Sequence, residues 1–472
     1  MTPLSRLHSP AVPGILALTV GLLLAGPMRP ATSLDALSPL APPLLSGQER
    51  TTERDMTADR QLTADEERMA RYVEEHTERT IDLLERTVNV NSGTLNIEGN
   101  REVARIMEPE FEKLGFEVRW VPLPPETGRA GHLIAERRGN RGKSLLLIGH
   151  LDTVFEPDHP FQRFERDGDF ARGPGVIDMK GGNAVIVLAL EAMHEVGALE
   201  GTSITVVLTG DEEAPGRPLE VSRRDLWDAG ERSDLALGFE AGSVVDGVDH
   251  AVVARRSASS WRLDVEANTA HSSTIFRDEV GAGALFEASR ILNTWYGELR
   301  GEEYLTFNVG VLVGGAEARY DGGEGRGVAS GKTNIIPEKV IATGDIRTIS
   351  DEQLERARDR MRHVVERGLP RTSARIEFQD GYPSMYPTEA NYELLGLYDE
   401  VSRALGYGEV VPFDPGARGA ADIAFVADLV EAGLDGLGPS GSGGHTVDET
   451  IDLRTIPKAA ARAAVLMYRL TR

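Results

Sequence analysis

Leu145–Asp152 reads LLLIGHLD. Four consecutive apolar residues predict a strand buried on both faces, as in a parallel sheet. His150 and Asp152 follow at its end, two positions apart and therefore on one side of an extended chain. A metal site uses such a pair. One ring nitrogen binds the ion, while a neighbouring carboxylate holds the other N–H and fixes the tautomer. On its own the pair also fits a turn with an internal hydrogen bond, so the reading depends on what lies downstream.

Four further segments supply it. In GPGVIDMKGGNAV, Gly173–Val185, Asp178 stands between a glycine-rich turn and the apolar run Ala184–Leu190, which predicts a helix. Asp178 fits a helix N-cap, and the flanking glycines also let backbone approach a bound group. In ITVVLTGDEEAPG, Ile204–Gly216, a β-branched strand ends in Asp211, Glu212 and Glu213. Ligands gather at strand ends of this kind in open α/β sheets. Of two adjacent glutamates, one can bind metal while the other handles protons. A third strand, LALGFEAG, ends at Glu240, and GLGPSGSGGHTVDE carries His445 in a glycine-serine loop. Together these segments supply imidazole and carboxylate ligands for two divalent ions roughly 3.5–4 Å apart with one bridging carboxylate. Imidazole favours zinc, and carboxylates also accept manganese or cobalt.

In order along the chain, GHLDTV, GPGVIDMKGG, GDEE, GFE, AHSS, SGKTNIIP and GGHTVDE resemble the motifs of the M20 family of metallopeptidases. The resemblance runs from about Ala64 to Arg472. It implies His150 as first ligand, Asp178 as bridge, Glu213 and His445 on one ion, and Glu240 with His150 on the other. It also implies Glu212 as general base, Asp152 as the partner of His150, and a cis peptide at Asp178–Met179. The fold it implies is α/β: a mostly parallel sheet with helices on both faces, interrupted by a ferredoxin-like lid that commonly forms homodimers.

The expected organisation is a catalytic domain split into 64–253 and 384–472 around a lid at 254–383. Within 254–383, WRLDVEANTA, GAGALFEASRILNTWYGEL, LTFNVGVLVGG, KVIATGDIRTI, DEQLERARDRMRHVVERG and ARIEFQDGYP read as βαββαβ. By family analogy His271 of TAHSS supports the oxyanion, often in the partner's site. Asn334 and Arg347 match positions that hold a substrate carboxylate, a task suited to the planar guanidinium fork. Glutamate-specific members carry a second basic residue where Tyr382 stands, so a less acidic or aromatic group is expected here. The glycine-rich Tyr320–Val328 reads as a loop at the cleft edge. Asp422 falls in the family's Gly/Thr-Asp-Ala motif, from which Arg418 and Ala421 depart. SGKT is not a phosphate loop, because Arg326 occupies the position that motif reserves for glycine.

The net charge of −24 argues against nucleic acid or an anionic membrane as partner. Residues 1–31, with Arg6 ahead of the apolar Ile15–Ala25, read as a secretory signal. The expected location is periplasmic or secreted, with an uncleaved anchor as the rival. Residues 32–63 read as a flexible tether. Cysteine is absent from the sequence, so no disulfide constrains the chain. The expected activity is a dinuclear zinc exopeptidase acting on a small peptide. The alternative is an N-acyl-amino-acid amidohydrolase with the same metals. A metal-free binding protein on this scaffold would have lost ligands, and every ligand position is filled.

Overall fold

The computed structural model describes residues 61–323 and 325–472. The expected signal at 1–31, and the tether up to residue 60, lie outside the described residues.

The first helix, Ala64–Val88, starts where chemistry dictates. Thr63 accepts the Glu66 N–H through its hydroxyl, and Glu66 accepts the Thr63 N–H in return, a reciprocal cap that satisfies two orphan donors. The principal sheet has six strands in the order Glu117–Pro122, Gly131–Arg137, Thr202–Thr209, Arg141–His150, Leu235–Gly238, Ala432–Leu434. From Thr202–Thr209 onward the neighbours are parallel, and the first two strands pair antiparallel at one edge.

The central strand explains its own sequence. Leu145 and Leu147 join the larger core, with the helices Lys180–Glu195 and Thr455–Leu470. Leu146 and Ile148 join a second core on the opposite face, with Leu226 and Phe425. Successive side chains alternate between faces, so a strand covered on both sides is apolar throughout.

Ala258–Tyr382 builds a separate antiparallel sheet. Its main strands lie in the order Val311–Gly315, Lys339–Arg347, Ala258–Ala267, Thr372–Tyr382, backed by helices Ala284–Leu299 and Asp351–Glu366. The chain order is βαββαβ, with a hairpin inserted. Glycine-rich Tyr320–Val328, expected as a loop, falls in that hairpin, Glu317–Asp321 paired with Arg326–Ser330. Ala318 and Tyr320 alternate with polar neighbours and pair with Ala329 and Gly327 across a short glycine-containing turn. The unit has its own core around Trp261, Leu263, Trp295 and Met361. The two chain crossings that connect it to the principal sheet are tied together, since Arg255 and Met385 exchange backbone hydrogen bonds of 2.9 Å each.

Trp295 is fully buried, packs edge-on against Trp261 at 5.2 Å, and donates its indole N–H to the Met361 carbonyl. Trp295→Ala is expected to destabilise the inserted unit by about 3–5 kcal/mol, measured as a lowered midpoint in urea unfolding.

Candidate metal centre

Three parallel neighbours deliver the site. His150 ends the central strand level with Thr209 of one neighbour, and Ile148 is level with Gly238 of the other. All three chains therefore leave the sheet at one end, carrying His150, then Glu212 and Glu213, then Glu240 to a common point. Asp178 arrives from the turn before the helix Lys180–Glu195. That helix sits close because Gly182 lacks a side chain: a Cβ there would stand 1.9 Å from the Phe239 carbonyl oxygen. His445 comes from the loop between Gly441–Ser442 and Thr450–Asp452. Its φ of 64° is left-handed, uncommon for a non-glycine residue.

Asp178 is the hinge of the arrangement. Its Oδ1 lies 3.1 Å from His150 Nε2 and its Oδ2 lies 3.0 Å from His445 Nε2. Glu240 Oε1 is 3.6 Å from His150 Nε2, and Glu213 Oε2 is 3.1 Å from His445 Nε2. Two groups capable of holding an ion follow, His150–Asp178–Glu240 and Asp178–Glu213–His445, each with its candidate donor atoms within 4.8 Å of one another. A third grouping, His150–Glu212–Glu213, meets the same limit.

Buried groups fix these side chains. Asp152 is fully buried. Its carboxylate accepts the Glu212 N–H at 3.0 Å, the Glu213 N–H at 3.1 Å and the Thr94 hydroxyl at 2.6 Å. His150 Nδ1 stands 3.0 Å from the Asp152 carbonyl and 3.4 Å from its Oδ1. Glu449 accepts the backbone N–H groups of Gly175, Ile177 and Asp178, which holds the turn that presents Asp178. The Asp178–Met179 peptide is cis. Beneath Glu212, Arg223 is fully buried between Asp211 and Asp422, at 2.6 and 3.1 Å. The Tyr382 hydroxyl donates to the Glu212 carbonyl.

The cluster attracts positive charge. Burial and the neighbouring Asp178 push Glu240 up to about 8. Burial raises Glu212 well above the usual carboxylate range, against the pull of His150. Hydrogen bonds to Asp178 and Glu213 push the His445 imidazole up to about 11. Glu213 Oε1 is buried without a hydrogen-bond partner. An imidazole and carboxylate set of this kind, with a bare buried oxygen, fits divalent metal.

The cluster opens on a cavity of about 490 Å³, lined also by Val244, Val245, Arg255, Phe413 and Arg418. His271, Asn334 and Arg347 are not among its lining residues. His271 and Asn334 are exposed neighbours on the inserted unit, joined through the Ser272 N–H and the Asn334 carbonyl at 2.9 Å. Arg347 pairs with Asp345 at 3.0 Å. Tyr382 packs on Phe425 and serves the Glu212 backbone instead of facing the cavity. Arg223, Arg255 and Thr94 carry no motif that marks them in sequence. Glu449 alone was within reach of pattern reading, as the end of HTVDE.

Residues 146–469 match the model of Peptidase family M20/M25/M40. The chain belongs to this family. It is 27% identical to carboxypeptidase G2 of Pseudomonas sp. (strain RS-16) over 406 residues, covering 83% of this chain and 89% of that protein. It is 26% identical to succinyl-diaminopimelate desuccinylase of Cupriavidus necator over 378 residues, 74% of this chain and 89% of that one. In fold it is similar to the aminopeptidase PepT from Bacillus cereus, with TM-score 0.65, 17% identity, and coverage of 84% of this chain and 99% of that one. It is also similar to the M20 family metallo-carboxypeptidase Sso-CP2 from Sulfolobus solfataricus, with TM-score 0.62, 17% identity, and coverage of 82% and 98%. This M20 member is a hydrolase of a metal-dependent family.

Arg223→Ala would leave Asp211 and Asp422 buried without their cation. The expected cost is about 3–5 kcal/mol, read as a lowered midpoint in urea unfolding.

Proposed function

We propose that the protein is a dinuclear zinc-dependent hydrolase that cleaves a peptide bond next to a free carboxylate, as a carboxypeptidase or dipeptidase. The observation that carries this reading is Asp178, whose two oxygens are divided between two imidazoles. His150, Asp178 and Glu240 would hold one ion, and Asp178, Glu213 and His445 the other. Cobalt or manganese suit the same donors. When bound, the ions supply Lewis acidity toward the amide carbonyl and make the attacking water more acidic.

The chain's own groups do the rest. Glu212 takes the proton of the attacking water and passes it to the departing amine, a role suited to a buried carboxyl whose proton affinity is raised. Asp152 keeps the backbone of Glu212 and Glu213 in register with His150. We assign His271 to the oxyanion and Asn334 and Arg347 to the substrate carboxylate, on the family resemblance of their motifs. A homodimer through the inserted unit accords with that resemblance and with the exposed Phe276, Phe286 and Leu312. Export to the periplasm or beyond, with an uncleaved anchor as the rival, is proposed on the sequence of residues 1–31 alone.

The second reading is an N-acyl-amino-acid amidohydrolase, favoured by the similarity to a succinyl-diaminopimelate desuccinylase. A panel of dipeptides and N-acyl amino acids, assayed with zinc, manganese and cobalt, separates the two by which class is turned over faster.

Glu212→Gln is expected to retain metal by elemental analysis and to lose about 10²–10⁴-fold in kcat. Wild-type turnover in that variant would remove Glu212 from the mechanism. Exhaustive chelation is expected to abolish activity and added zinc to restore it. Hydrolysis that survives chelation at zero metal content would sink the metal reading.

A further inference from the structure

The peptide that joins Glu212 to Glu213 is held along both edges. Its N–H, on Glu213, donates to the Asp152 carboxylate at 3.1 Å, and its carbonyl, on Glu212, accepts the Tyr382 hydroxyl. The candidate base stands at one end of that peptide and a candidate ligand at the other. Rotating its plane would swing both side chains at once, so the groups on its two edges decide where they point. Asp152 also accepts the Glu212 N–H at 3.0 Å, but a carboxylate can hold only the N–H side. Tyr382 supplies the donor on the carbonyl side.

The proton of that hydroxyl is aimed. Arg223 Nη2 lies 3.5 Å from the Tyr382 oxygen and donates also to the Asp211 carbonyl at 3.0 Å. A guanidinium has donors only. The phenol oxygen therefore accepts from Arg223, and its own O–H is left for the Glu212 carbonyl. The ring is fixed as well. It packs against Phe425 with centroids 4.9 Å apart, and the Arg223 guanidinium lies 5.2 Å from the same Phe425 ring.

Tyr382 is delivered by the inserted unit. It is the last residue of the strand Thr372–Tyr382, paired with Ala258, and it precedes by three residues the Met385 that bonds Arg255. It is not among the residues that line the cavity. Its route to the chemistry runs through the Glu212 peptide and not through contact with substrate.

We propose that Tyr382 is a positioning residue for hydrolysis, whose hydroxyl fixes the Glu212–Glu213 peptide so that the Glu212 carboxyl is aimed at the attacking water. This rests on the reading of Glu212 as the base. Substrate binding does not draw on the hydroxyl, so its loss is felt in kcat. A misplacement of about 1 Å in a reacting group can lower a rate about 10²-fold, and the release of one edge of a peptide still held on the other does less than that.

The test uses the full chain, zinc-loaded, with whichever dipeptide or N-acyl amino acid of the panel above is turned over fastest. Tyr382→Phe keeps the ring against Phe425 and removes only the hydroxyl. It is expected to lower kcat about tenfold, with KM within about twofold of wild type and zinc content unchanged. The same substitution made in Glu212→Gln is expected to lower kcat by less than about twofold further, because no base remains to be aimed. A wild-type kcat in Tyr382→Phe, a loss carried by KM, zinc lost from that variant, or an equal loss in the Glu212→Gln background would each overturn the proposal. If Glu212→Gln itself turns over at the wild-type rate, or wild type cleaves nothing in the panel, the reading of the base has failed and the proposal falls with it. That result is distinct from a silent Tyr382→Phe beside an impaired Glu212→Gln, which removes the proposal alone.

Discussion

Asp178, Glu212, Glu213 and Glu240 point at one small volume against two imidazoles, and their mutual repulsion is the constraint that the surrounding structure answers. Like charges at these separations raise each other's proton affinity, as Glu240 shows. The chain holds the carboxylates together with fixed backbone and buried counter-charge. Asp152 fastens two consecutive N–H groups, Glu449 fastens three around the Asp178 turn, and Arg223 neutralises the acids below Glu212. The buried sheet behind them is what keeps this expensive arrangement in place, since parallel pairing sets the three strand ends level before any ligand arrives.

Much of the site was legible because its parts coincide with changes of pattern. LLLI turning into GHLD, and ITVVLT turning into GDEE, put polar residues where a two-sided apolar strand stops, and strand ends are where open α/β sheets bind. Helices were legible from periodicity: the run Ala184–Leu190 lies within Lys180–Glu195, and DEQLERARDRMRHVVERG contains Asp351–Glu366. What escaped was the support beneath the site. Arg223 sits in a polar stretch that looks like surface, and only tertiary packing places it at zero exposure between two acids. Tyr382 was read as a position facing substrate; the strand that carries it ends against Phe425 and turns its hydroxyl to a carbonyl. Register within a sheet is visible in a sequence, but what meets the end of that strand is not.

The inserted unit obeys simpler rules. Its sheet has helices on one face only, and its strand Thr372–Tyr382 accordingly alternates between polar and apolar residues. The hairpin of 317–330 was missed because its glycines dominate the composition while the pairing residues flanking them are few. A short turn between two five-residue strands needs little more than that.

The paired backbone of Arg255 and Met385 makes a single axle of the two connections between the units. Any swing of one unit against the other must turn about that point. On one side of it hangs a guanidinium that faces the cavity, and a few residues away a phenol grips the peptide of Glu212. Rotation there would be felt first at the Glu212 peptide and at Arg255, so a swing of the inserted unit would act directly on residues at the cavity.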